Sequence, residues 1–121
     1  MDSARVYIVD EHQSVRFALA ERLDRSVDLD VIGHGSVADE VIHDVQLKHP
    51  DVVLLEVKRS DGLGLELLRQ IASLTDPPLL VVLTTYPSSW EQQAATRAGA
   101  TCYLLKDIET DDLIQFLTNL V

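Results

Sequence analysis

Glu56 closes an apolar run, Asp51-Val-Val-Leu-Leu-Glu56, that reads as a buried strand ending on a carboxylate. An acidic pair, Asp10-Glu11, ends a second run, Val6-Tyr-Ile-Val9, and Lys106 ends a third, Tyr103-Leu-Leu105. Thr84 follows a fourth, 79–83. If these strands lie side by side and parallel, the carboxylates, the hydroxyl and the ammonium meet at one edge of a sheet. Such a cluster suits a divalent cation or a phosphoryl group. Asp10, Glu11 and Glu56 are hard oxygen donors of the kind Mg²⁺ accepts, one or two carboxylates with water completing the shell. The other arrangement is a carboxylate cluster neutralised by Lys106 and Lys58 with no metal. Both remain open on the residues alone.

The elements that must position these groups alternate in period. Short β-branched or leucine-rich runs at 5–9, 30–33, 51–55, 79–83 and 101–105 predict strands. Between them, helical spacing predicts helices over 14–23, from 35–36 to 47, over 65–74, over 90–98 and over 109–120. Ser14 and Ser88 or Ser89 stand as helix caps, Gly99 as a helix stop, and Pro50 ends the second helix. Five βα units imply an α/β fold with a parallel sheet between two layers of helices. Right-handed crossovers cover both faces only if the strand order reverses, and ligands bind where it does, outside the carboxyl ends of the strands.

The chain has 121 residues, enough for one domain, 1–121, that buries roughly two-thirds of its unfolded surface. Apolar residues make up 46%, which supports a folded globule. A net charge of −10 repels phosphate backbones and anionic membranes. With one cysteine, Cys102, no internal disulfide can form, and no apolar leader or spanning run is present, so a cytoplasmic location is expected. Cys102 reads as a buried inert thiol. His12, His34, His43 and His49 lack metal-ligand spacing and read as solvated loop or helix residues; His12 also borders the acidic pair. No Ser-His-Asp order, phosphate-cradling glycine loop or zinc signature is present, so the chain is not expected to be an enzyme.

Several stretches in this order resemble the receiver domain of two-component response regulators, nearest the subgroup that precedes a LuxR-type (NarL/FixJ-like) helix-turn-helix. They are Val6-Tyr-Ile-Val-Asp-Glu-His12, Pro50-Asp-Val-Val-Leu-Leu-Glu56, Gly64-Leu-Glu-Leu-Leu68, Val81-Val-Leu-Thr-Thr-Tyr86 and Ala98-Gly-Ala-Thr-Cys-Tyr-Leu-Leu-Lys-Asp107. The resemblance implies a flavodoxin-like (βα)5 doubly wound sheet of strand order 2-1-3-4-5. It implies a phosphoacceptor at position 56, Mg²⁺ held by residues such as Asp10 and Glu11, and switch residues Thr84, Tyr103 and Lys106. It also implies DNA binding only through a following output domain, which is expected to be absent from this chain. The family's acceptor is aspartate; here it is Glu56. A proline usual four residues after the acceptor is Ser60, and Lys58 stands where a main-chain carbonyl would reach the metal.

Glutamate carries one more methylene than aspartate. That moves its oxygens by roughly 1–1.5 Å, and a misplacement near 1 Å costs about a hundredfold in a transfer that depends on alignment. No productive acyl phosphate is expected at Glu56. The longer side chain instead reaches toward the phosphoryl position, where it could meet Lys106 and the Thr84 hydroxyl as a partial mimic of the phosphorylated state. Three readings follow: a phosphorylation-independent receiver held active-like by Glu56; a dead switch kept for dimerisation or docking, including a stand-alone adaptor; and a receiver still phosphorylated or ruled by another ligand. A carboxylate-nucleophile phosphatase is the remote enzyme alternative. The last helix carries Leu113, Phe116, Leu117 and Leu120 at core spacing with Ile114 and Val121 outside the stripe, and Phe17 and Ala18 on the first helix could extend that surface. A homodimer through the first and last helices is the expected self-association. Tyr103 is read equally as packing residue or switch aromatic, and Tyr86 with Trp90 as a partly buried lid.

Overall fold

Valine and leucine fill the central runs without alternation because both faces of a parallel sheet are covered. The computed structural model describes residues 3–121; the first two positions of the expected 1–121 domain lie outside the described residues. The elements run β1 (Ala4–Val9), α1 (Gln13–Leu23), β2 (Leu29–Gly35), α2 (Ala38–Lys48), β3 (Val52–Leu55), α3 (Gly64–Ala72), β4 (Leu79–Thr84), α4 (Ser89–Ala98), β5 (Cys102–Leu105) and α5 (Thr110–Leu120). All strand pairs are parallel, in the order β2-β1-β3-β4-β5. The expected doubly wound order is therefore observed, and the reversal falls between β1 and β3.

Strand alternation divides the core in two. Tyr7, Val9, Val53, Leu55, Leu80 and Val82 face Val41, Val45, Leu67, Leu68, Ile71 and Ala95 of α2, α3 and α4. Val6, Ile8, Val52, Leu54, Val81 and Leu83 face Leu19, Leu23, Leu113 and Leu117 of α1 and α5. With about 1.5–3 kcal/mol for each fully buried aliphatic side chain, these two layers supply the main force that holds the strand ends in place.

Local departures from the predicted bounds have specific causes. β2 is longer than 30–33 because it carries a bulge. The register passes from Val6↔Val31 to Tyr7↔Gly33, leaving Ile32 as the extra residue, which breaks the alternation a sequence reading relies on. Gly35 ends this strand instead of opening α2; a Cβ there would lie 2.7 Å from the Tyr7 hydroxyl, which donates to Asp44 Oδ2 at 2.8 Å. Burial and that hydrogen bond push the Tyr7 phenol up. α1 is capped at His12, not Ser14, and no side chain bonds the first turn. α2 ends with His49 in the left-handed region, the residue before Pro50 being unable to continue the helix. Ser88 caps α4 as expected, accepting from the Glu91 N–H at 3.0 Å, and Gly99 at φ 120° ends it.

Candidate functional site

Register brings the strand-terminal residues to one edge. The Glu56 N–H donates to the Val9 carbonyl at 3.0 Å, so residues 10 and 56 leave adjacent strands side by side. The Lys106 N–H donates to the Thr84 carbonyl at 2.9 Å, which does the same for β4 and β5. The turn carrying Lys106 is clamped from α1. Arg22 donates to the carbonyls of Ile108 at 2.6 Å and Lys106 at 3.4 Å, and to the Thr110 hydroxyl at 3.0 Å. Arg16, also on α1, donates to the Asp10 carbonyl at 2.8 Å.

Lys106 lies between two buried carboxylates. Its Nζ is 2.9 Å from Asp10 Oδ2 and 3.3 Å from Glu56 Oε1. The Asp10 and Glu56 side chains are 4% and 9% exposed, whereas Lys106 is 24% exposed and still touches water. Asp10 also accepts from the His12 N–H at 2.9 Å, with the ring Nδ1 3.2 Å from the same oxygen. Burial pushes the Asp10 carboxyl up, but the His12 N–H and Lys106 outweigh it and hold the group below its ordinary value. The other oxygen of Glu56 accepts from the Lys58 N–H, also at 3.3 Å.

The expected contact between Glu56 and Thr84 is not made. Thr84 Oγ1 instead accepts from Lys58 Nζ at 3.0 Å, because the lysine two residues beyond Glu56 folds back over the end of β4. Lys58 Nζ also lies 2.7 Å from both oxygens of Glu91, a buried carboxylate in the first turn of α4. Glu91 Oε1 accepts in addition from the Tyr103 hydroxyl at 2.6 Å, and that hydroxyl accepts from the Ser88 N–H at 3.3 Å. Burial and the bond to Glu91 push the Tyr103 phenol up. Thr84 and Tyr103, two of the three expected switch residues, thus meet a second centre built on Lys58, next to the one built on Lys106.

Glu91 is the site residue that sequence reasoning missed. Its signal was present: Ser88 and Glu91 stand at capping-box spacing. Only half of the box forms, since the Ser88 N–H goes to Tyr103 and leaves the Glu91 carboxylate for Lys58.

The metal set Asp10, Glu11 and Glu56 is not gathered around one point. Glu11 turns to the β3–α3 loop, where the Ser60 N–H donates to it at 3.1 Å and the Ser60 hydroxyl makes a further bond; these two donors hold its carboxyl below the ordinary range. Among the described residues, no group of three or more His, Cys, Asp or Glu side chains is placed to hold a metal ion. With an ammonium between the two buried carboxylates and the third carboxylate elsewhere, the donors as arranged do not fit Mg²⁺. Arg59 pairs with Asp61 at 3.1 Å, leaving Lys58 as the loop cation that faces the strand ends.

Other expected residues are placed as follows. Tyr86 and Trp90 are 74% and 68% exposed, so they form no buried lid; α4 turns Glu91 and Ala95 inward, and residue 90 faces out. Phe17 is half-exposed and stands edge-on to His34 at 5.1 Å between ring centres. His34 is half-buried, not solvated, and its Nδ1 accepts from Arg16 Nε at 3.0 Å. Burial and the neighbouring Arg16 and Lys48 push its imidazole down. Ile114 packs at the margin of the α1/α5 core layer, and Val121 is exposed. Cys102 is half-buried, and burial pushes its thiol up. No helix among the described residues is long and apolar enough to cross a membrane.

Comparison with known proteins bears on the family and the fold. The family described as response regulator receiver domain matches residues 6–118. The DNA-binding transcriptional activator DevR/DosR of Mycobacterium tuberculosis is 36% identical over 109 residues, covering 90% of this chain and 50% of that protein. The transcriptional regulatory protein LiaR of Bacillus subtilis is 33% identical over 102 residues, covering 84% of this chain and 48% of its own length. The chain therefore spans about half the length of these curated relatives. Among solved structures, a LuxR-family two-component response regulator from Aurantimonas superposes with a TM-score of 0.88 at 24% identity, covering 98% of this chain and 85% of that one. A LuxR-family DNA-binding response regulator from Staphylococcus aureus gives 0.85 at 17%, covering 97% and 98%. Likeness at those identities concerns the fold.

Proposed function

This chain belongs to the response regulator receiver domains, and we propose that within that family it works without phosphorylation of residue 56. The observation that carries the reading is the ion pair at 3.3 Å between Glu56 and Lys106, made by a carboxylate that is 9% exposed. The longer side chain occupies the space of a phosphoryl group and takes the lysine that would stabilise one. A phosphoryl group brings about −1.5 to −2 of charge and three acceptor oxygens; glutamate brings −1 and two, so it supplies part of the bias. Moving a two-state switch from 1:99 to 99:1 takes about 5.5 kcal/mol. One charge-assisted contact, about 1–3 kcal/mol, poises such an equilibrium without locking it.

In this proposal the chain is the input half of a cytoplasmic transcription regulator of the LuxR/NarL type. DNA is contacted only by an output domain, consistent with the receiver's charge of −10. Self-association uses the α1/α5 face, with Phe17, Ile114 and Val121 as its apolar contacts. The domain is not an enzyme and requires no cofactor; Mg²⁺ is not part of the resting site.

A second reading, a fixed dimerisation or docking module, is favoured by one observation: Thr84 bonds Lys58, not Glu56. One experiment separates the two. Sedimentation velocity and thermal melting are recorded with and without acetyl phosphate and Mg²⁺, for the wild type and for Glu56→Gln. The phosphodonor is expected to change nothing in the wild type, while Glu56→Gln shifts self-association. A donor-dependent shift in the wild type refutes phosphorylation independence. A variant identical to the wild type in self-association selects the fixed module.

A further inference from the structure

Lys58 joins three elements that the rest of the sheet edge leaves separate. It stands in the β3–α3 loop; its ammonium bonds the hydroxyl that ends β4 and both oxygens of a carboxylate in the first turn of α4. That carboxylate in turn accepts from the Tyr103 hydroxyl on β5, and the same hydroxyl accepts from the N–H of the α4 cap residue, Ser88. The result is a linked network through Lys58, Glu91, Tyr103 and Ser88, with Thr84 attached to the ammonium. Glu91 is 8% exposed and Thr84 fully buried, so neither can exchange its partner for bulk water without an opening of the β4–α4 loop.

We propose that Lys58 is the positioning residue of the switch in this chain: it fixes Thr84 directly and Tyr103 through Glu91, whatever occupies position 56. The inference rests on the receiver reading but not on the state of Glu56. Three consequences follow from the bonds themselves. The Thr84 hydroxyl is already engaged and must leave Lys58 before it can serve a group on residue 56. Tyr103 is tied to the α4 cap, so its movement and that of the first turn of α4 are one event. Restoring an aspartate at position 56 leaves the latch closed, and the hydroxyl becomes free only when Lys58 is also replaced.

The test is hydrogen exchange read by mass spectrometry on peptides covering residues 85–91, for Lys58→Met, Glu91→Gln, the double variant and Lys58→Arg. Lys58 is an exposed loop residue, so its variants keep both core layers. Each single neutral variant is expected to speed exchange in that segment about tenfold, with β1 and β3 unchanged. The double variant is expected to add no more than about twofold to either single one, since both remove the same link. Lys58→Arg keeps a cation in reach and is expected to stay within about twofold of the wild type. Unchanged exchange in Lys58→Met overturns the latch. So does a double variant whose two effects multiply, an acceleration spread evenly over the whole chain, or an arginine variant as fast as the methionine one. A phosphoryl adduct on wild-type Glu56 would refute phosphorylation independence and leave these exchange ratios as they are.

Discussion

Replacing Lys106 by methionine keeps most of the aliphatic stem and removes the cation shared by Asp10 and Glu56. The two carboxylates are 4% and 9% exposed and would then face each other without it. Breaking a buried pair costs about 3–5 kcal/mol. Here the ammonium is 24% exposed and Asp10 keeps the His12 N–H at 2.9 Å, which brings the cost to or below the bottom of that range, about 2–3 kcal/mol. Unfolding entropy of about 2.1 cal/mol/K per residue over 121 residues converts this to a fall in Tm of roughly 8–12 °C. The deficit has a sign in pH. Removing the cation destabilises charged carboxylates and leaves protonated ones almost untouched, so the loss is largest at neutral pH and shrinks as the solution is acidified toward the carboxylate range. Urea denaturation of wild type and Lys106→Met at neutral pH and near pH 4.5 measures both quantities. Adding Glu56→Gln to the methionine variant removes one of the two like charges and is expected to recover part of the loss. A Tm within a degree or two of the wild type at neutral pH, or a deficit independent of pH, refutes the assignment of Lys106 as the shared counter-charge.

Tyr103→Phe removes a hydroxyl that donates to Glu91 and accepts from Ser88, and is expected to cost about 1 kcal/mol in urea denaturation. The carboxyl of Asp10 is held below its ordinary value in the folded chain by the His12 N–H and Lys106, so its contribution to stability is complete above the ordinary carboxylate value and is lost as pH falls through the lower folded one; an acid titration of stability should steepen on the acid side of the carboxylate range, and Asp10→Asn should flatten that branch. Gly64→Ala would place a Cβ 1.7 Å from the Val57 carbonyl oxygen, an overlap that the start of α3 cannot absorb, and the variant is expected to lose about 3 kcal/mol or more of stability by thermal melting.

The sheet was legible because parallel strands buried on both faces must be apolar throughout. The runs 51–55 and 79–83 have no other use, and their charged or hydroxyl-bearing ends announce the functional edge. β2 was legible only in part, since the bulge at Ile32 and the glycines at 33 and 35 break its period. The start of α1 was misplaced by preferring Ser14 as cap; His12 takes that position, its N–H and ring both turned to Asp10, a local contact outside the usual capping residues. The pairing of Glu56 with Lys106 followed from side-chain length and strand ends. The partner of Thr84 did not. Lys58 lies in a loop whose path depends on where Glu11 and Ser60 meet, and Glu91 was not singled out among the residues of α4. Contacts between a loop and a helix start carry no periodicity, so they stay hidden until the chain is folded.

Residue 56 is proposed to fill the phosphoryl position and not to receive the group. The intact mass of the wild-type chain after incubation with phosphoramidate and Mg²⁺ tests this. The expected result is an unchanged mass. An acid-labile gain of about 80 Da, the mass of one phosphoryl group, mapped to Glu56, would contradict it.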